Sequence, residues 1–273
     1  MASTTTSPLI AVDELRERLD DVTLLDVRWR LGGPPGHEEY AAGHLPGAVF
    51  VDLEADLADP PGDGGRHPLP SPGRFEDAMA RAGVSTSRPV VVYDDSAGQA
   101  AARCWWLLRH YGHPDVRLLD GGLAAWRAAG GQVTTDAPRP ALGDFAGGPG
   151  VMPVVAAADV PDVDVLVDVR VPERYRGETE PIDPVAGRIP GAVNVPVART
   201  LDNHGHYRDV HELREVFAAA GVSADRSAAT YCGSGVNACH TVLALELVGV
   251  RAALYPGSFS GWITDPDRPV EAG

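Results

Sequence analysis

Cysteine is scarce in this 273-residue sequence. The three present, Cys104, Cys232 and Cys239, are too few for a disulfide framework. That leaves at least one thiol free to react in a reducing compartment. Basic charge is also in deficit: Lys and Arg total 23 against 38 Asp and Glu, a formal net charge of −15. Such a surface repels nucleic-acid phosphates and anionic membranes, so neither is expected as a partner. An anionic substrate would need a local basic pocket set against the overall field. No run is apolar for long enough to span a membrane. Met1 to Pro8 lacks the basic start and apolar core of a signal peptide, which predicts a cytoplasmic chain. What is present is the composition of a folded protein, with 44% hydrophobic and 22% charged residues. The 24 prolines and 31 glycines argue for many turns rather than long helical rods.

The chain repeats itself once. Leu25-Asp26-Val27-Arg28 recurs as Val167-Asp168-Val169-Arg170, and Gly43-His44-Leu45-Pro46-Gly47-Ala48-Val49 as Gly187-Arg188-Ile189-Pro190-Gly191-Ala192-Val193. Ala82 to Ser85 matches Ala220 to Ser223, Tyr93 matches Tyr231, and Gly121 to Trp126 matches Gly257 to Trp262. The separations keep one order and drift only between 136 and 144 residues, as two diverged copies should. Residues 136–153 are rich in proline and glycine, without helical or strand period, and read as a linker between residues 1–135 and 154–273. Short β-branched runs at Leu24–Val27, Val90–Tyr93 and Val116–Leu119 read as strands, as do Val165–Val169, Ala228–Tyr231 and Ala252–Tyr255. Helix-like spacing at Asp13–Leu19, Gln99–Tyr111, Glu212–Ala220 and Asn237–Val248 alternates with them. The pattern predicts an α/β protein of two domains, each a mostly parallel sheet with helices on both faces. Ligands of such sheets sit beyond the carboxyl ends of the strands, which points to the segments after Tyr93 and Tyr231.

After Tyr231 the sequence reads Cys232-Gly233-Ser234-Gly235-Val236-Asn237, then a helix. Glycines let the backbone curl so that successive N–H groups point inward, and the helix N-terminus adds partial positive charge. Both favour a thiolate, the nucleophilic form of cysteine, and both would hold a negatively charged persulfide. The first copy has Asp94 at the matching position, which cannot carry sulfur. It is expected to shape or support the site rather than to react.

These features together resemble the tandem rhodanese-domain sulfurtransferases, the family of thiosulfate and 3-mercaptopyruvate sulfurtransferases. The resemblance spans essentially the whole chain. It rests on the Gly-His-Leu-Pro-Gly-Ala element and its copy, on Arg66-His67-Pro68-Leu69-Pro70, on Glu173-Arg174-Tyr175-Arg176-Gly177, on the Cys232 loop and on Gly257-Ser258-Phe259-Ser260-Gly261-Trp262. It implies an inactive N-terminal copy and a C-terminal copy that moves sulfane sulfur through a Cys232 persulfide. The substrates would be a small anionic donor and an acceptor such as cyanide or a dithiol, thioredoxin-like proteins included. No cofactor and no metal are implied. Arg174 matches the arginine that holds the donor anion, and Arg176 is a second candidate. Ser234 and His44 match positions proposed to polarise the donor or move protons, and the backbone of Gly233, Gly235, Val236 and Asn237 would cradle the sulfur. Asp26 and Asp168 read as structural, and Cys104 and Cys239 as core residues. Two departures leave the donor open. Glu180-Pro181-Ile182-Asp183-Pro184 lacks the second arginine of many mercaptopyruvate enzymes, and Gly233-Ser234 replaces the two basic residues typical of the thiosulfate type. A cysteine phosphatase of the same fold would need an arginine where Ala238 stands, and a mere binding module would have no need of Cys232. Cys232, Cys239 and His240 do not have the spacing of paired zinc ligands.

Overall fold

The computed structural model describes residues 7–273; residues 1–6, which hold most of the Met1–Pro8 stretch, lie outside the described residues. Strands β1 (Leu9–Ile10), β2 (Thr23–Asp26), β3 (Val49–Phe50), β4 (Val90–Tyr93) and β5 (Val116–Leu119) form one wholly parallel sheet in the order β1-β5-β4-β2-β3. Strands β6 (Val165–Asp168), β7 (Val193–Asn194), β8 (Ala228–Tyr231) and β9 (Ala253–Leu254) form a second parallel sheet in the order β7-β6-β8-β9. In place of a fifth strand the second sheet has a single parallel bridge from Val154 to Leu254, which is where β1 lies beside β5 in the first. The two-domain α/β architecture expected from the repeat is the one observed. The central strands β2, β4, β6 and β8 are buried along their whole length, as strands of a parallel sheet covered by helices are. The two-residue strands β1, β3 and β7 escaped the sequence reading because so short a run has no measurable period.

The repeated motifs have repeated physical roles. Asp26 and Arg28 form a buried pair, with Arg28 Nη2 2.7 Å from Asp26 Oδ2 and also donating to the Gly43 carbonyl at 2.9 Å. Asp168, Arg170 and the Gly187 carbonyl repeat this with both distances at 2.7 Å. Tyr93 Oη accepts the N–H of Leu45 at 3.1 Å, and Tyr231 Oη that of Ile189 at 3.1 Å. The Gly-x-Leu/Ile-Pro-Gly turns are thus tied to the central strands through side chains rather than ladder bonds.

Helix Ala101–His110 of the first half packs against helix Asn237–Leu247 of the second. Small side chains at Ala101, Ala102, Cys104, Ala238, Cys239 and Ala244 lie in that contact region, and one apolar cluster runs through both halves. Arg109 closes the edge with a bidentate pair to Glu246 at 2.5 and 2.6 Å. Residues 136–153 have no helix or strand, yet they lie along the first half as a strap. Gly143 N–H bonds the Ala80 carbonyl at 2.9 Å, Phe145 N–H that of Val84 at 3.1 Å, and Val151 N–H that of His110 at 3.2 Å. The Phe145 ring is buried against Phe75 and His113. Truncating it should therefore behave as a core deletion. We expect Phe145→Ala to cost about 3–5 kcal/mol in urea unfolding, while Leu142→Ala, at a side chain 79% exposed, changes nothing measurable. Equal midpoints for the two variants would show that the segment is only a tether.

Candidate active site

Cys232 follows the last residue of β8, and its loop leads into helix Asn237–Leu247. Its side chain is buried, and Sγ accepts the Gly235 N–H at 3.1 Å. Three further bonds lock the loop. Cys232 N–H donates to Ser258 Oγ at 3.1 Å, Phe259 N–H to the Cys232 carbonyl at 3.0 Å, and Ser260 N–H to the Gly233 carbonyl at 2.9 Å. Ser258 has φ +51°, a left-handed conformation that costs a non-glycine residue about 1 kcal/mol or more. The same hydroxyl also donates to the Tyr255 carbonyl at 3.1 Å, which fixes it beneath the nucleophile. Gly235 has φ +80°, and a Cβ there would lie 2.5 Å from the Pro256 carbonyl oxygen, so only glycine fits.

The first half caps this loop. Val236 packs with Leu53, Ala100 and Trp29, and Asn237 donates to Gln99 Oε1 at 3.0 Å. Ser234 Oγ is 2.8 Å from His67 Nδ1. Arg66 and Arg174 lie over Gly233: a Cβ added there would be 2.7 Å from Arg66 Nη2 and 3.6 Å from Arg174 Nη1. Beneath the loop, the fully buried Arg103 donates to the carbonyls of Gly235 at 3.2 Å, His67 at 3.0 Å, Pro68 at 3.2 Å and Leu57 at 3.3 Å. No carboxylate among the described residues pairs with it. Burial pushes its pKa down, and the neighbouring Cys239 and Cys232 thiols oppose that. A cavity of about 390 Å³ opens above Cys232, Gly233 and Ser234, walled by Arg66, Arg170, Arg174, Trp29 and the Val169–Val171 and Pro196–Ala198 segments.

The first copy has the same loop with its ligand built in. Asp94 is fully buried, and its two carboxyl oxygens accept the N–H groups of Ser96, Gly98, Ala100 and Ala101 at 2.8–2.9 Å. The strand-to-helix turn of the first half is therefore an anion cradle filled by a carboxyl group, and in the matching turn of the second half a sulfur atom has one N–H, that of Gly235, in reach.

Several of the expected site residues meet here: Cys232, Gly233, Ser234, Val236, Asn237 and Arg174 all line the cavity, and Gly235 shapes the loop. Two do not line it, His44 and Arg176. His44 is buried in the first half, with its ring nitrogens 2.8 Å from the Tyr40 carbonyl and 3.3 Å from that of Asp136, and the ring is stacked on Tyr40. It joins the repeat turn to the strap and has no face toward Cys232. Arg176 is exposed outside the cavity and paired with Glu178. Cys104 and Cys239 are buried core thiols. Burial raises the Cys104 pKa far above the ordinary thiol range and pushes that of Cys239 up to about 12, so neither ionises readily. The residues missed were His67, Arg66 and Arg103. The first two stood in the quoted Arg66–Pro70 element, and Arg103 is the single cation among Ala, Cys, Trp and Leu from residue 101 to 108.

A buried cysteine at the carboxyl end of a parallel sheet, in a fold present twice with an aspartate at the matching position of the first copy, is the arrangement of a two-domain sulfurtransferase. The comparisons with known proteins agree. The rhodanese-like domain model matches residues 11–129 and 154–265. A putative thiosulfate sulfurtransferase, SseB of Mycobacterium tuberculosis, is 46% identical over 93% of this chain and 92% of its own. A probable 3-mercaptopyruvate sulfurtransferase of Pseudomonas aeruginosa is 44% identical over 97% of this chain and 98% of its own. The crystal structure of SseA from Escherichia coli, a rhodanese-fold 3-mercaptopyruvate sulfotransferase, has TM-score 0.83 and 34% identity, covering 93% of this chain and 100% of that one. The chain belongs to the rhodanese-like family and is one of its tandem-domain sulfurtransferases. Among the described residues no helix is long and apolar enough to cross a membrane.

His67 gives the site a measurable pH signature. Burial first, then the charges of Arg103 and Arg66, lower its pKa from 6.5 to about 4. A folded-state pKa below the unfolded one means that the unfolded chain takes up a proton the folded chain refuses. The associated stability is complete above about pH 6.5 and is lost as pH falls toward about 4. We expect the urea-unfolding free energy to decline over that interval and the decline to be shallower in His67→Gln. An identical slope in both proteins would mean that His67 does not titrate this way.

Proposed function

We propose that the chain carries sulfane sulfur as a persulfide on Cys232, in a two-step exchange between a small anionic donor and a thiophilic acceptor. The observation that carries this reading is the placement of Cys232 Sγ against the Gly235 N–H at the floor of an arginine-walled cavity. In the first step the Cys232 thiolate attacks the outer sulfur of the donor. The new S–S bond forms as the donor's bond to that sulfur breaks, and the electron pair leaves with the donor fragment, sulfite from thiosulfate or the pyruvate enolate from 3-mercaptopyruvate. The cradle N–H groups and the helix N-terminus favour the anion at every stage. In the second step cyanide or a thiol takes the outer sulfur and the Cys232 thiolate returns; a dithiol such as that of a thioredoxin-like protein would then close its own disulfide and expel the transferred sulfur as hydrosulfide. Splitting the transfer in this way is the function of a covalent nucleophile.

Ser234 and His67 form the proton-handling pair of this reading. The Ser234 hydroxyl, held 2.8 Å from the neutral His67 ring beside the reacting sulfur, is placed to relay a proton from solvent water to a departing enolate, leaving hydroxide to the solvent. The uncharged Gly233-Ser234 loop favours 3-mercaptopyruvate over thiosulfate, and the names of the relatives divide between the two. Residues 1–135 act as the inactive supporting unit, 136–153 as the linker and 154–273 as the catalytic unit. A free catalytic thiol and the absence of any disulfide among the described residues suit a reducing, cytoplasmic setting.

Intact-mass and peptide mass spectrometry after donor treatment should find one added sulfur on the Cys232 peptide. Its appearance on Cys104 or Cys239 would overturn the assignment. Cys232→Ser should abolish transfer with either donor, because an alcohol forms no persulfide, while Cys104→Ser retains most of it. Comparison of kcat/KM for thiosulfate and 3-mercaptopyruvate in the unaltered protein decides the donor.

A further inference from the structure

The two arginines above the sulfur loop do not stand open for a donor. Asp183 lies between them, its Oδ1 hydrogen-bonded to Arg66 Nη1 and its Oδ2 2.9 Å from Arg174 Nη2. Arg66 comes from the first half of the chain, Arg174 and Asp183 from the second, so the bridge spans the domain boundary over the cavity. The Asp183 side chain is only 2% exposed. Glu180 backs it from the same segment. It takes Arg174 Nε at 2.9 Å and Nη2 at 2.7 Å, lies 3.5 Å from Arg170 Nη1, and is held by the N–H groups of Ile182 and Asp183. Burial works against the Glu180 carboxylate, but its bond to Arg174 and these N–H groups prevail and its pKa is lowered. Arg170 is already paired with Asp168. The wall thus balances the guanidinium groups of Arg66, Arg170 and Arg174 against the carboxylates of Asp168, Glu180 and Asp183.

We infer that Asp183 is a specificity-determining residue, whose bridging carboxylate neutralises the arginine pair so that the site discriminates against donors carrying two negative charges. The inference rests on the sulfurtransferase reading above and adds to it the charge of the preferred donor. A neutral wall still holds an N–H group to spare: Arg66 Nε has no hydrogen-bond acceptor among the described residues. Such a dipole suits one carboxylate. It does not offset the desolvation of a dianion, which rises steeply with charge. Asp183 acts on any anion placed over Gly233 by simple Coulomb repulsion, and that energy scales with the donor's charge. At an effective dielectric constant of about 20, removing one carboxylate about 10 Å from the donor's charge is worth about tenfold in affinity per unit of donor charge, and more at shorter range.

The test is the ratio of kcat/KM for thiosulfate, a dianion, to that for 3-mercaptopyruvate, whose single full charge is its carboxylate, measured in the full chain and in Asp183→Asn and Asp183→Glu. Asp183→Asn is expected to lower KM for both donors and to raise the thiosulfate-to-mercaptopyruvate ratio about tenfold. Asp183→Glu, which keeps the charge, is expected to keep the ratio of the unaltered protein. Glu180→Gln removes another carboxylate of the same wall and is expected to move the ratio in the same direction, so the test does not depend on one variant folding. Loss of a merely structural bridge would slow both donors together and leave the ratio fixed; that outcome, or a fall in the ratio, overturns the inference and leaves the sulfurtransferase reading standing. No turnover of either donor by the unaltered protein overturns both.

Discussion

Helices 101–110 and 237–247 meet along faces of Ala and Cys, and that close approach is the contact on which the rest of the molecule depends. Small side chains let the two backbones come near enough for one apolar cluster to pass from the first half into the second. The Cys232 loop and the helix that follows it are therefore held by residues that lie more than a hundred positions earlier in the chain. Arg103 sits on the first of these helices and reaches Gly235 from beneath. Gln99, just before it, meets Asn237. His67 is aligned by its own carbonyl bond to Arg103. The first half contributes no nucleophile, yet without it the sulfur loop would lose its cap and one of the two arginines above it.

Duplication has been used to separate two solutions of one electrostatic problem. A strand-to-helix turn collects inward N–H groups and a helix N-terminus, and such a turn is costly to bury empty. Asp94 fills it with a permanent carboxyl group. Cys232 leaves it occupied only by sulfur, with Gly235 as the donor in reach, and so keeps the cradle available for chemistry. The same contrast appears one turn away. Gly122 must be glycine, since a Cβ there would lie 2.4 Å from the Asp94 carbonyl oxygen, whereas at Ser258 a hydroxyl takes part in holding the nucleophile's own backbone. Charge is handled with equal economy. In a strongly acidic protein the cavity has three arginines in its wall, and each is paired with a buried carboxylate.

The amino-acid sequence by itself determined the repeat, the α/β class and the cysteine loop that we propose carries the sulfur, because each is written in local pattern. Short runs with little charge, such as Val90–Tyr93 and Ala228–Tyr231, suit strands buried on both faces of a parallel sheet, and Cys232-Gly233-Ser234-Gly235 before a helix has one obvious electrostatic use. Tertiary structure alone decided who stands around that cysteine. His44 and Arg176 carry suggestive chemistry in suggestive motifs, yet the first is consumed by backbone carbonyls and the second by Glu178. His67 and Arg66, 165 and 166 residues before Cys232 in the chain, arrive at the site by domain packing. Asp183, part of a run that in sequence showed only a missing arginine, closes a bridge between halves that no spacing rule connects. Periodicity and turn chemistry act over a few residues and are legible in order along the chain, whereas hydrogen bonds and ion pairs act through space and become legible only when the fold has brought their partners within 3 Å or so.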